Sequence, residues 1–78
     1  MFTAEEYEAL SRGVDAWLDG LDPRDFRAND LSREGALLDR AARRLGFDPW
    51  AVPPHARPAR CPAFLDGIAA LMVVTGHE

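Results

Sequence analysis

The stretch that most constrains this chain is Pro62–Thr75, Pro-Ala-Phe-Leu-Asp-Gly-Ile-Ala-Ala-Leu-Met-Val-Val-Thr, which carries one charge, Asp66, and is otherwise apolar or small nearly all the way round. A helix of that kind must be buried or partnered. The whole chain has only 78 residues with which to cover it, and a chain of that length buries only ~60–65% of its unfolded surface. The rest of the sequence therefore reads as amphipathic cover for this one helix. No motif in it is specific enough to name a reaction.

A composition 47% hydrophobic and 28% charged belongs to an ordinary globular domain rather than a disordered segment. One cysteine, Cys61, excludes an internal disulfide and fits a reducing compartment. The N-terminus, Met1-Phe2-Thr3-Ala4-Glu5-Glu6, has neither the basic region nor the apolar core of a signal peptide. The longest apolar run falls short of the ~20 residues a bilayer requires. A cytoplasmic protein with no membrane association is expected. All nine basic residues are arginine, which suggests a GC-rich bacterial or phage genome. The net charge of −4 argues against bulk affinity for nucleic acid. That charge is unevenly spread, with −5 in residues 1–22, +3 in 23–60 and −2 in 61–78.

The spacing predicts a first helix from Thr3 to about Leu21. Thr3 and Glu6 form a capping box, Phe2 and Tyr7 suit a hydrophobic staple, and Tyr7, Leu10, Val14, Trp17, Leu18 and Leu21 recur on one face. Glu8, Asp15 and Asp19 form an acidic stripe on the other side. Asp22-Pro23 can cap a short turn that plugs Phe26 into the core. A second helix is expected over about 31–45, capped by Asp30 or Ser32 and stopped at Gly46 in a Schellman motif closed by Phe47. It carries Arg33, Arg40, Arg43 and Arg44 away from its apolar face of Leu31, Gly35, Leu38, Ala42 and Leu45. A short turn follows at about 49–52. The proline-rich connector 53–62 is expected to be extended and stiff. Pro62 then opens a third helix over about 62–75.

Chemistry-bearing residues are sparse. His55, Cys61 and His77 do not fall into a zinc spacing, and the acids between Asp19 and Glu34 lack the spacing and central glycine of a calcium loop. The glycines are scattered and build no phosphate cradle. Asp66 reads as a solvent-side acid near a helix start, and no orienting group accompanies Cys61 and His55. No catalytic, cofactor-binding or metal-binding residue is nominated, and an enzyme is not expected.

The fold expected is all-α, one domain over 1–78: a small three-helix bundle with short extra helical turns and a proline-rich crossover before a buried C-terminal helix. Phe64, Leu65, Ile68, Leu71 and Met72 belong to its core face. Gly67, Ala70, Val73 and Val74 form a smooth apolar strip that so short a chain has difficulty covering, and such strips mark interfaces. The function expected is a non-catalytic interaction module, such as an adaptor, inhibitor or subunit, meeting another protein or a second copy of itself. Trp50, Arg40 and Arg44 are the expected anchors, since interfaces favour Trp and Arg. The alternative is a nucleic-acid-associated regulator using the arginine stripe. Against it, the Asp22–Asp30 connector is too long and acidic for a helix-turn-helix, and the stripe lacks residues that read base edges.

Overall fold

Trp17 sits where the elements of this protein meet. The computed structural model describes residues 2–76, which form α1 (Ala4–Leu18), α2 (Pro23–Ala28), α3 (Ser32–Arg44), 3-10 turns at Pro49–Ala51 and Pro54–Ala56, α4 (Arg57–Arg60) and α5 (Pro62–Gly76). Met1, His77 and Glu78 lie outside the described residues, so His77 has no structural account. The all-α class is as expected, and there is no strand among the described residues.

Local chemistry sets most boundaries. Thr3 caps α1 through the reciprocal pair Glu6 N–H to Thr3 Oγ1 (3.1 Å) and Thr3 N–H to Glu6 Oε1 (3.0 Å). A second capping box, Asp22 with Asp25, turns the expected short turn into α2, with Pro23 inside its first turn. Helix α1 ends at Leu18, earlier than the Leu21 suggested by apolar periodicity. The chain reverses at Gly20 (φ +100°), and Leu21 N–H bonds Ala16 C=O (3.2 Å). The same Schellman closure ends α3, where Phe47 N–H reaches Ala42 C=O (2.9 Å) across Gly46. It also ends α2, where Leu31 N–H reaches Phe26 C=O (2.7 Å) across Asp30, at φ +59°. This corrects the expected cap of α3. Asp30 closes the preceding helix instead, and the N-cap of α3 is Leu31 with no side-chain bond.

Helices α1 and α3 cross at closest range where Gly13 faces the backbone of Glu34. A Cβ on Gly13 would lie 2.7 Å from the Glu34 carbonyl oxygen, so only glycine permits the contact. Gly35 makes comparable room for Phe26, whose ring would be 3.0 Å from an added Cβ. Leu10, Trp17, Leu38, Ala41 and Ala42 are fully buried at the centre. Trp17 meets Phe64 edge-on at 5.6 Å and Phe47 at 6.4 Å, and those two rings stack at 4.0 Å. Its indole N–H donates to Pro49 C=O (2.9 Å). The hub of the core therefore belongs to α1. Helix α5 is buried along one stripe, Phe64 and Ile68 below Cys61, and is half-buried at Leu65, Leu71 and Met72.

The proline-rich connector departs from expectation. Only Pro53 is extended (ψ 148°); Pro54–Ala56 is a 3-10 turn and Arg57–Arg60 is α-helical. The reason is Arg57, 2% exposed despite its charge. Its Nη1 donates to Trp17 C=O and to Leu21 C=O (3.1 Å), its Nε to Val52 C=O (3.2 Å), and its guanidinium lies 4.9 Å from the Trp17 ring centre. The side chain thus occupies the carbonyl end of α1, where the helix dipole favours a cation. Burial lowers its pKa from the ordinary arginine value, against the pull of Asp22 and Cys61, and an arginine stays charged regardless. Pro54 and Pro58 fit because each stands in the first turn of its short helix, where a missing N–H costs nothing.

Candidate docking surface

The outer face of α5 follows from the amphipathicity of its neighbours. Helices α1 and α3 spend their apolar faces on each other and on the inner stripe of α5. Nothing among the described residues covers the opposite side. Pro62 starts the helix by presetting φ, and its first bond runs from Leu65 N–H to Cys61 C=O (2.9 Å). Cys61 itself is buried, which pushes its thiol pKa up despite Arg57 and Arg60 nearby. It is a packed apolar group rather than a reactive one.

The residues expected to meet a partner fall in three different places. Ala70, Val73 and Val74 lie on the outer face of α5, with Val73 59% and Val74 61% exposed. Gly67 stands at the margin of that face. A Cβ there would lie 3.0 Å from Leu45 Cδ1, so Leu45 covers it, and Gly67 serves the α3–α5 contact. Leu45, expected in the core, is 39% exposed. With Ala63 and Phe64 it outlines a notch of about 210 Å³ beside the strip.

Sequence reasoning missed Ala63 and Ala69, both exposed. Ala63 lies two helical turns before Ala70 and could have been read from the 3.6-residue period. From Ala63 to Val74 the outer face runs ~16 Å at 1.5 Å per residue. Among Ala63, Asp66, Ala69, Ala70, Val73 and Val74 the only charge is Asp66.

The arginines expected as anchors are partly engaged within the chain. Arg40 Nη2 donates to Glu6 Oε2 (3.0 Å), and its guanidinium lies 4.4 Å from the Phe2 ring centre, so Arg40 belongs to the α1–α3 contact. The Glu6 carboxyl is held below its ordinary value, first by the Thr3 backbone N–H and then by Arg40. Phe2, 1% exposed, is thereby clamped beneath Arg40. Arg43 pairs with Asp39 (3.1 Å), and Arg12 with the nearly buried Glu34 (3.2 Å). Arg33 and Arg44 are exposed, without an ion pair among the described residues.

Trp50, the third expected anchor, lies elsewhere. It is half-buried, its ring edge-to-face with Phe26 at 5.0 Å, in a groove of about 440 Å³ whose lining includes no α5 residue. His55 is exposed. Among the described residues no group of three His, Cys, Asp or Glu is placed to hold a metal ion. No helix among them is long and apolar enough to cross a membrane. Comparison of the chain with known protein families, with curated proteins and with solved structures finds no match.

Proposed function

We propose that this protein is a non-catalytic interaction module that docks an amphipathic helix of another protein on the outer face of α5. The observation that carries the reading is the exposure of Val73 and Val74, 59% and 61%, on a face otherwise built from alanines and the single charge of Asp66. Small side chains let a second helix approach closely, as Gly13 does within the fold. The Leu45–Ala63 notch offers a socket for one larger side chain. Contiguous apolar surface of this kind is unusual on a soluble monomer without a partner.

Charge argues for a foreign helix over a second copy. The strip carries Asp66 and no basic residue. Two such strips pressed together would bury each Asp66 against apolar surface with no cation from the facing strip, and an unpaired buried charge is costly. A partner helix with small residues and one Lys or Arg facing Asp66 meets both requirements.

The test is affinity capture from the native cell with the wild-type chain and with Val73→Asp, followed by reconstitution of the captured protein. Val73 is exposed, so the variant should fold, which circular dichroism checks. Loss of binding to the purified partner by Val73→Asp, and a monomer by light scattering when alone, are expected. Binding that the substitution leaves unchanged sinks the assignment, and a concentration-dependent dimer abolished by the same substitution replaces the foreign helix with a second copy.

A further inference from the structure

We infer that the groove along α3, between α2 and the Pro49–Ala51 turn, is a second binding site, for a short acidic peptide segment carrying an apolar side chain. This goes beyond the α5 reading and shares no residue with it. The groove measures about 440 Å³, within the ~300–1,000 Å³ range of ligand-binding clefts. It follows one stripe of α3 from Ser32 through Gly35, Ala36 and Asp39 to Arg43, a run of ~16 Å at helical rise.

Its depth has a specific cause. Gly35 lies directly against Phe26, whose ring would be 3.0 Å from an added Cβ, and Ala36 adds only a methyl. The rings of Phe26 and Trp50, edge-to-face at 5.0 Å, stand above that low wall and supply an apolar floor. An aliphatic or aromatic side chain laid there would lie against the half-buried Trp50 ring, with Phe26, 2% exposed, forming the base beneath it.

The polar groups around the floor are nearly all donors. Arg27, on α2, is exposed and has no ion pair among the described residues. Arg43 forms an ion pair with Asp39 (Nε to Oδ2, 3.1 Å) while its side chain stays 80% exposed, so its guanidinium remains within reach of a further acceptor. The Trp50 indole N–H donates to no acceptor among the described residues and is not sealed from solvent. The only acid lining the groove is Asp39, already taken by Arg43. A ligand must therefore bring acceptors, which carboxylates and peptide carbonyls supply together. The chain as a whole carries −4, so this is a local basic spot in an acidic protein, suited to a few carboxylates and unsuited to a run of phosphates.

The test is a titration of the full-length, ¹⁵N-labelled chain with the acetylated, amidated hexapeptide Glu-Asp-Phe-Leu-Asp-Glu at low salt. Shifts confined to the Trp50 indole and the amides of Gly35 and Ala36, with half-saturation below about 1 mM, are expected. Replacing the four acids by lysine, or Phe-Leu by Ser-Ser, should weaken binding roughly tenfold or more. Arg27→Gln should weaken it about three- to tenfold, and Ala36→Glu, which fills the groove with a carboxylate at an exposed helical site, should abolish it. Val73→Asp should change nothing, which separates this site from the α5 face. The inference is overturned by absence of shifts, by an equal response to the lysine peptide, by indifference to Ala36→Glu, or by loss in Val73→Asp. An oligothymidylate that shifts the same resonances at lower concentration would overturn it in favour of nucleic acid.

Discussion

Two helix surfaces built from small residues have opposite fates in this protein. On α1, Gly13 brings the backbone of α3 so near that an added Cβ would meet the Glu34 carbonyl at 2.7 Å. On α5, Ala63, Ala69 and Ala70 lie exposed beside Val73 and Val74. The residue chemistry is much the same, and the difference is whether the chain supplies a second helix. Helices α1 and α3 are long enough and amphipathic enough to cover one another. With the carbonyl end of α1 taken by Arg57 and the inner stripe of α5 spent on Phe64 and Ile68, nothing among the described residues is left for the outer face. Small residues on a helix thus signal close packing in general; whether the packing is internal or with a partner is decided by what else the chain contains.

The sharpest way to break the internal side of that comparison is Arg57→Ala. Three carbonyls, of Trp17, Leu21 and Val52, lose their donor in a buried site, at an expected cost of about 3–4 kcal/mol. Chemical denaturation should show it. An unchanged midpoint would mean that the proline segment is held by other contacts.

Gly13→Ala comes next. The clash is with backbone, which cannot rotate away, so a loss of about 2–3 kcal/mol is expected, or roughly 10–20 °C in Tm. Asp30→Gly should act in the opposite direction. Asp30 holds φ +59° at the end of α2, and glycine there should add about 0.5–1 kcal/mol. On the α5 side, Ala70→Leu should leave stability within about 0.5 kcal/mol of wild type, because the site is exposed and leucine is a good helix former. A large loss there would show that the outer face is already covered.

The smallest effect expected is with pH. The folded pKa of Glu6 is depressed from 4.5 by the Thr3 backbone N–H and Arg40, and that of Asp22 from 3.8 by the backbone N–H groups of Asp25 and Arg24. A depressed carboxyl stabilises the fold fully above its unfolded pKa and ceases to do so as pH falls through the folded one. Tm should therefore hold steady from neutrality to about pH 5 and decline below about 4.5. The Glu6→Gln variant should lose part of that decline, and an identical profile in the variant would remove the Thr3–Glu6–Arg40 cluster from the explanation.

The sequence by itself determined the all-α class, the three longer helices to within about a turn, the Thr3–Glu6 capping box and the Gly46 closure, because each depends on residues within about one turn of one another. It also marked Ala70, Val73 and Val74 as apolar surplus, from length and periodicity alone. Only the tertiary structure decided the rest. The connector folds into helical turns because Arg57 reaches carbonyls far away in the sequence, and no local rule anticipates a buried arginine between prolines. Gly67 is closed by Leu45, and Arg40 by Glu6 and Phe2, through contacts between helices whose rotation about their axes the sequence leaves free. The stretch Pro62–Thr75 is accordingly helical by its own composition, while the division into a buried stripe and an exposed one was made by Trp17, Phe47 and Leu45, which reach only one side of it.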